Sequence, residues 1–298
     1  MKIIESSVEV IEEKDPYKMI ELAGRTCYKS EDKITEDSAK EFVDRMIKLQ
    51  HLAMLEHGTV YLRVSDKDIN YHVYLNRYEK NPYSRCIYGL TLNGAPVGDL
   101  CITTNYRVLV ENGWSNDLKY QCDPTPSHER RITAKFICDR SASHQIVRHR
   151  SMSFAQESQR YCNYSKDKFN KEITFIKPTW LDIPTGNYTY WDGDWCNIDN
   201  DIDNMKIHLP SDNGIADNFL RCLNNAESQY KLLLDKGLKP QEARGILPNA
   251  TKTEIVVTGF ESDWAHFFSL RRSKAAHPDM QKLANELYDK LYGEGKEE

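Results

Sequence analysis

The feature that most constrains the fold is the stretch 144–161, which is strongly basic and yet half apolar. Its polar residues are interleaved with apolar ones, namely Ile146, Val147, Met152, Phe154 and Tyr161. The alternative is that this stretch is a charged surface exposed to solvent. Such a surface would not need these apolar side chains. We therefore expect the stretch to pack against the body of the protein and to present its polar groups at a site.

The polar residues of this stretch suit an anionic ligand. Arg148, Arg150 and Arg160 each carry a planar guanidinium that can grip a phosphate group in two places. Further donors and acceptors are Gln145, His149, Ser151, Gln156, Glu157 and Ser158. Burying so many polar side chains costs free energy unless a polar ligand forms hydrogen bonds with them. The sequence thus predicts a site for nucleotide phosphate.

The overall charge limits the kind of ligand. The chain has 298 residues and a net charge of −5, with 40% hydrophobic and 29% charged residues. These values are typical of a soluble globular protein with a sizeable core. General nucleic-acid binders carry an excess of basic charge, so no nucleic-acid partner is expected. An RNA- or single-strand-binding protein that stacks bases on the tyrosines of 66–130 is kept as an alternative.

Cysteine usage and the N-terminal sequence indicate a reducing compartment. The eight cysteines form no Cys-x-x-Cys pair, and no secretory apolar run follows Met1. No stretch is long and apolar enough to cross a bilayer. We expect free thiols, no metal site, no membrane association and a cytoplasmic location, which would be the host cytoplasm for a viral protein.

Periodicity and capping signals predict an α+β fold in which helices flank a mixed sheet. The predicted strands are 3–11, one that follows Thr59, 131–138 and 253–258. The predicted helices are 17–23, 38–49 opened by a Ser38–Glu41 capping box, a short one from 141, 217–236, 241–247, one capped by Ser262 or Asp263, and one from Pro278. No linker or repeat is evident, so 1–298 is treated as a single domain.

Two segments interrupt this pattern and are interpreted as long insertions. The first, 66–130, is rich in tyrosine, has a turn signal at Asn93-Gly94 and a predicted strand at 101–110. The second, 184–214, is crowded with Asn, Asp and Gly and is predicted to be a surface loop. Asp201 and Asp203 resemble a calcium loop only loosely, because the required Gly and terminal Glu are missing.

Common nucleotide and nucleophile motifs are absent. The chain has no Gly-x-Gly-x-x-Gly, no Walker loop and no Gly-x-Ser-x-Gly elbow. Ser158 lacks a local base, so a hydroxyl that contacts the ligand is a better interpretation than a nucleophile. Cys162 is interpreted as a packed thiol, although Arg160 could lower its pKa.

The basic stretch resembles the signature of the flavin-dependent thymidylate synthases. Arg148-His149-Arg150 is followed, after 151–157, by Ser158-x-Arg160-Tyr161, and Gln145 stands three residues before Arg148. Three further segments are similar in order: Glu56-His57-Gly58-Thr59, Ala243-Arg244-Gly245-Ile246-Leu247-Pro248 and His266-Phe267-Phe268-Ser269-Leu270-Arg271. The resemblance covers 1–63, 131–180 and 215–292.

The resemblance implies a reaction without a protein nucleophile. Methylene tetrahydrofolate would give its carbon to dUMP, and FAD reduced by NADPH would supply the hydride that completes dTMP. It also implies a homotetramer whose active sites lie between subunits. Partners would then be dUMP, a reduced folate and other copies of the chain.

The same resemblance assigns roles to individual residues. The expected substrate contacts are Gln145, Arg148, Gln156, Glu157, Ser158, Arg160, Arg244 and Arg271. The expected flavin contacts are His57, Thr59, Arg148, His149, Arg150, Ser151 and His266. Arg271 is the expected catalytic residue, because it would stabilise negative charge on the uracil ring. Arg244 would reach a neighbour's nucleotide.

Several positions depart from the family pattern. Ala155-Gln156 replaces the usual Asn-Glu, with Glu157 one position later, and Phe260 and Ser262 replace a flavin-binding Asn and Arg. Ala275-Ala276-His277 stands where the family has His-Ala-Gln. The alternative that follows is another nucleotide-binding enzyme on the same scaffold with altered flavin use.

Overall fold

A computed structural model describes residues 1–90, 96–199, 205–207 and 209–293. The strands are β1 (Lys2–Ile4), β2 (Ser7–Ile11), β3 (Thr59–Val64), β4 (Arg85–Leu90), β5 (Pro96–Asn105), β6 (Arg131–Asp139), β7 (Ser153–Gln156), β8 (Thr174–Ile176), β9 (Gly186–Trp191), β10 (Asp194–Asn197) and β11 (Lys252–Phe260). The α-helices are α1 (Pro16–Tyr28), α2 (Ser38–Lys48), α3 (Tyr71–Glu79), α4 (Tyr106–Glu111), α5 (Arg140–Ile146), α6 (Ile215–Asp235), α7 (Pro240–Ala243), α8 (Glu261–Arg271) and α9 (Pro278–Tyr292).

The central sheet has the order β2-β6-β11-β7 and is antiparallel throughout. Ala134, Phe136 and Cys138 alternate along β6 and point to one face, as the sequence predicts. That face packs against α5, α8 and α9, whose apolar residues share one core cluster with β6 and β11. The other face is covered by α1, where Ala23 packs against Val256 of β11.

The site helices α5 and α8 follow two neighbouring strands directly. The strands β6 and β11 run in opposite directions, with Asp139 opposite Lys252 and Arg131 opposite Phe260. The two helices therefore leave the sheet at opposite ends. Both fold back over the same face, where Ile146 and Phe267 belong to one core cluster. Their C-terminal ends meet, and this meeting point carries the candidate site.

A second sheet has the order β10-β9-β1-β8 and contains a parallel pair, β1 with β8. The predicted surface loop 184–214 is wrong, because β9 and β10 form a hairpin and β9 pairs with β1. Its two-residue turn is Asp192-Gly193, and both residues have positive φ (51° and 86°). The side chains of Tyr188 and Trp195 are buried in the adjoining core. Asp201 and Asp203 lie outside the described residues.

A third sheet, β3-β5-β4, is built largely from the segment interpreted as an insertion. The strand predicted at 101–110 is wrong in its bounds, since β5 ends at Asn105 and α4 begins at Tyr106. The Asn105 side chain accepts a hydrogen bond from the Val108 backbone N–H (3.1 Å) and so caps α4. Since β5 pairs with β3 along its length, the segment is part of one core with the preceding chain. The turn signal Asn93-Gly94 lies outside the described residues.

Three local predictions need correction. The predicted strand 3–11 is two strands in different sheets. Ser38 does not cap α2 but is its first residue, and its hydroxyl donates to Glu21 (2.8 Å). The N-terminal turn of α8 is closed by Asp263, whose carboxylate accepts from the Phe260 backbone N–H (3.1 Å), whereas the Ser262 hydroxyl donates to Glu129.

The α/β composition and the flanking of sheets by helices are confirmed. The single mixed sheet is not: the described part of the chain divides its strands among three sheets, of which β10-β9-β1-β8 mixes strand directions. All eight cysteines are free, in agreement with the prediction. Among the described residues, no helix has the length and apolarity needed to span a membrane.

Candidate active site

The C-terminal ends of α5 and α8 are joined by Arg271. Its Nη2 donates to the Gln145 backbone carbonyl (2.7 Å), its Nη1 to the Gln145 amide oxygen (3.4 Å), and its Nε to His149 Nε2 (3.1 Å). The His149 ring lies against that of Phe267 (4.9 Å) and near that of His266 (5.9 Å). We call Gln145, Arg148, His149, His266 and Arg271 the Arg271 cluster.

Positive charge accumulates in this cluster. Burial and the charge of nearby Arg148 lower the pKa of Arg271. Arg148 is exposed, as are Arg150 and Ser151 on the same turn between α5 and β7. Guanidinium groups held close together repel each other and favour an anion between them. The structure therefore brings together residues that lie far apart in the sequence and that suit an anionic ligand.

The imidazole of His149 is held neutral. Burial, followed by the positive charge of Arg271 and by His266, lowers its pKa to about 4. Because Arg271 donates to Nε2, the proton of the neutral ring lies on Nδ1. At neutral pH His149 is thus a hydrogen-bonding group and not a second cation.

The lowered pKa of His149 predicts how the free energy of unfolding depends on pH. The folded-state pKa of His149 lies below its ordinary value of 6.5, so the unfolded chain binds a proton first as pH falls. The stability that neutral His149 contributes is therefore present above about pH 6.5 and lost as pH falls towards 4. We expect His149→Gln to show a smaller decrease in the free energy of unfolding between these pH values, measured by urea denaturation. Equal decreases in the variant and the wild type would contradict this assignment.

A second group of predicted residues follows β7. The Ser158 backbone N–H donates to the Cys27 carbonyl at the end of α1 (3.0 Å), and the Ser158 hydroxyl accepts from the Arg160 backbone N–H (3.3 Å). Exposed Arg160 lies over the ring of Tyr161 (5.2 Å). We call residues 157–161 the Ser158 turn. The Cys162 thiol next to it is buried, which raises its pKa to about 12, so the packed-thiol interpretation is confirmed.

The side chains of Gln156 and Glu157 lie on opposite sides of the backbone, and each is bonded to other groups of the protein. The Gln156 amide donates to Ser143 (2.8 Å) and to Thr253 (3.2 Å). Glu157 is 2% exposed, and its carboxylate oxygens are occupied by Lys252 (2.9 Å) and the Tyr164 hydroxyl (3.1 Å). A direct contact between Glu157 and a nucleotide would break both bonds, so we interpret Glu157 as a supporting residue and not as a ligand.

The predicted flavin turn is buried at His57, whereas Thr59 is half-buried. His57 is 0% exposed, and its Nδ1 lies 2.8 Å from the Thr258 hydroxyl. Burial and Arg131 lower its pKa to about 3. Its Nε2 has no hydrogen-bond partner within the described residues. A flavin contact at His57 stays a prediction that requires movement of its surroundings.

Sequence reasoning missed Arg131, the first residue of β6. Its guanidinium donates to the Glu56 carbonyl (2.9 Å), the Thr59 hydroxyl (3.2 Å) and the Ser153 hydroxyl (3.4 Å), and thus joins the His57 turn to β7. Burial lowers its pKa to about 10. The signal in the sequence is weak, because an arginine at a strand end is usually solvated.

Arg244 lies apart from the Arg271 cluster. It is exposed and begins a short 3₁₀ turn, Arg244–Ile246, after α7. Its neighbours Ala243 and Leu247 pack in the core of the β10-β9-β1-β8 sheet, whereas the Arg271 cluster borders the central sheet. Cys162, which follows the Ser158 turn, packs in the same core as Ala243, so this comparison separates Arg244 from the Arg271 cluster only.

This α/β scaffold presents arginines and a neutral histidine at the ends of two helices, an arrangement that suits an anionic ligand. The sequence model described as "Thymidylate synthase complementing protein" matches residues 114–294, more than half of the chain. The chain belongs to the thymidylate synthase complementing protein family. The matched part contains the Arg271 cluster and the Ser158 turn, while His57 and Thr59 lie outside it.

Named relatives are similar over part of their length. A "Flavin-dependent thymidylate synthase" from Corynebacterium glutamicum is 33% identical over 156 residues, which is 51% of this chain and 53% of the relative. The protein of the same name from Pyrococcus furiosus is 28% identical over 154 residues, 52% of this chain and 51% of the relative. The chain thus spans about half the length of these relatives.

The match to solved structures is weaker. The UMP/dUMP methylase PolB from Streptomyces cacaoi, solved with 5-Br dUMP, covers 98% of this chain and 92% of its own, with a TM-score of 0.43 and 16% identity. A likeness at this level does not define a shared site.

Proposed function

We propose that this protein is a flavin-dependent thymidylate synthase that converts dUMP to dTMP. The observation that carries the proposal is the Arg271 cluster, in which Arg271 of α8 meets Gln145 and His149 after α5. These are the positions that match the family's signature. The relatives, each named a flavin-dependent thymidylate synthase, support the same reaction.

The nucleotide would lie between the Arg271 cluster and the Ser158 turn. The strand β7 spans four residues between them, a separation on the order of 13 Å at about 3.3 Å per residue. Arg148 and Arg160 are exposed at the two ends and can hold phosphate. Arg271 is half-buried, so its charge acts in a medium that screens it less than water does. There it would stabilise negative charge that develops on the uracil ring.

The donor set fits a flavin beside the nucleotide. Arg150 and Ser151 are exposed on the turn next to neutral His149, and the exposed His266 lies above the His149 ring. When bound, reduced FAD supplies the hydride for the methyl group. The chain's own residues orient the reactants and exclude water. Half-buried Thr59 would contribute to this contact, and buried His57 would contribute only after its surroundings move.

The remaining parts of the proposal concern partners. NADPH would reduce the flavin and methylene tetrahydrofolate would donate the carbon. As the family resemblance implies, the protein would be a homotetramer, and exposed Arg244 would reach the nucleotide of a neighbouring subunit. We propose a cytoplasmic location on the basis of the free cysteines.

The proposal is tested by incubating the purified protein with FAD, NADPH, methylene tetrahydrofolate and dUMP and measuring dTMP by chromatography. We expect dTMP that depends on each of the four compounds. Binding of dUMP without dTMP formation, in a protein that stays colourless after incubation with FAD, would favour the alternative of a nucleotide-binding enzyme with altered flavin use. Phe260 and Ser262 at flavin-contact positions are the observation behind that alternative.

A further inference from the structure

The Ser158 turn leaves the central sheet, and its first two residues are held by backbone hydrogen bonds. The Glu157 N–H donates to the Glu254 carbonyl of β11 (2.8 Å), and the Ser158 N–H donates to Cys27 of α1 (3.0 Å). Arg140, at the start of α5, donates to the Glu157 carbonyl (3.5 Å). The turn is therefore tied to the sheet and to both helices that border it.

The Glu157 side chain adds a buried anchor to these bonds. Its carboxylate forms an ion pair with Lys252 (2.9 Å) and accepts from the Tyr164 hydroxyl (3.1 Å). Tyr164 is itself buried, and burial together with Glu157 holds its pKa well above the usual range, so its hydroxyl stays protonated. A buried carboxylate with one partner removed is strongly unfavourable, so the turn has one favoured position.

We propose that Glu157, held by Lys252 and Tyr164, is a positioning residue that fixes Ser158 and Arg160 for nucleotide binding. This inference rests on the proposed function. Glu157 touches no ligand; it acts through the backbone of the turn that follows it. Ser158 and Arg160 are therefore already ordered in the folded protein, and less conformational entropy is lost when the nucleotide binds.

The sequence departure at this place supports the assignment. The chain has Gln156 where the resembling family has Glu, and Glu157 stands one position later. Adjacent residues of an extended chain point to opposite sides, so the shift moves the carboxylate from one side of the backbone to the other. Here it meets Lys252 and Tyr164 behind the turn. In this chain the carboxylate therefore supports the Ser158 turn and does not contact the nucleotide.

The chain offers a matched control in Asp117. Like Glu157, this buried carboxylate has one cationic partner and one tyrosine partner: it forms an ion pair with Arg77 and accepts from the Tyr78 hydroxyl (2.7 Å). Both partners lie on α3, which packs beside the β3-β5-β4 sheet and not beside the Ser158 turn. Asp117→Asn thus removes a comparable buried ion pair without touching Lys252 or Tyr164.

The experiment is a calorimetric titration of the FAD-loaded protein with dUMP, combined with flavin content and kcat. We expect Glu157→Gln to raise the dUMP Kd about 10-fold to 100-fold, because Ser158 and Arg160 must then be ordered when dUMP binds. Flavin content should be unchanged and kcat at saturating dUMP within about 2-fold of wild type. Tyr164→Phe, which removes one bond and little volume, should raise Kd in the same direction.

The outcomes distinguish a failure of the positioning role of Glu157 from a failure of the proposed function. Asp117→Asn should lower the melting temperature while it leaves the dUMP Kd within about 2-fold of wild type. Equal Kd values for wild type and both turn variants, or an equal rise in the Asp117→Asn variant, would overturn the positioning role. Failure of the wild type to bind dUMP would instead overturn the proposed function itself.

Discussion

Arg271→Ala is expected to reduce dTMP formation by ~100-fold or more, the usual effect of removing one donor that stabilises transition-state charge. Arg271 is the side chain that joins α8 to Gln145 and His149, and its charge is partly desolvated. FAD should stay bound, because the exposed donors Arg150 and Ser151 are untouched. The measurement is kcat and flavin absorbance of the purified variant.

The adjacent arginine provides the control. Arg272 follows α8, donates to Asn285 (2.9 Å) and lies over the Tyr288 ring (3.6 Å), so it faces α9 and not the cluster. We expect Arg272→Ala to keep kcat within about 3-fold of wild type. Comparable losses in both variants would show that the end of α8 is merely destabilised, and unchanged turnover in Arg271→Ala would remove its catalytic role.

Trp264→Ala is expected to destabilise the fold by ~3–5 kcal/mol, which is a large part of the total stability of a typical domain. Trp264 is 0% exposed, and its ring packs against Phe267 (5.3 Å) and Phe136 (6.3 Å). Its Nε1 donates to the Ile132 carbonyl (3.1 Å), which would lose this partner. The measurement is the free energy of unfolding from urea denaturation.

Trp264 also fixes α8, which carries His266 and Arg271, on the central sheet. Trp264→Phe should recover part of the stability, since it refills most of the cavity without the hydrogen bond. As a control, Trp180 is 57% exposed and packs on Phe219 (5.3 Å). Trp180→Ala should cost less than about 1 kcal/mol. Similar losses at both tryptophans would contradict the proposed role of the α8 core.

Local patterns predicted the elements that carry the site. Alternation along 131–138 predicted β6, and the apolar residues within 144–161 predicted a docked segment, of which Ile146 and Met152 are indeed buried. The contact between Arg271 and Gln145 joins residues far apart in the sequence, so the local periodicity of apolar residues does not predict it. Only the family resemblance indicated it, and the structure places the two side chains together.

Other features were missed for identifiable physical reasons. The hairpin β9–β10 has the polar composition of a loop, although the Asp192-Gly193 turn is a strong hairpin signal. The apolar residues of α4 continue those of β5, so the sequence alone favours one long strand. The signal that marks the start of the helix is the Asn105 cap. The inward direction of Glu157 depends on Lys252, which is distant in sequence, so charge type alone could not distinguish a support from a ligand.

The most direct test of the central claim is a spectroscopic titration of the FAD-loaded protein with dUMP. If the Arg271 cluster and the Ser158 turn bind a nucleotide against the flavin, dUMP should perturb the visible flavin absorption in a saturable way, and Ser158→Ala should require more dUMP for the same change. A flavin spectrum that dUMP leaves unaltered at every concentration, while calorimetry shows that dUMP is bound, would place the nucleotide elsewhere and contradict the account.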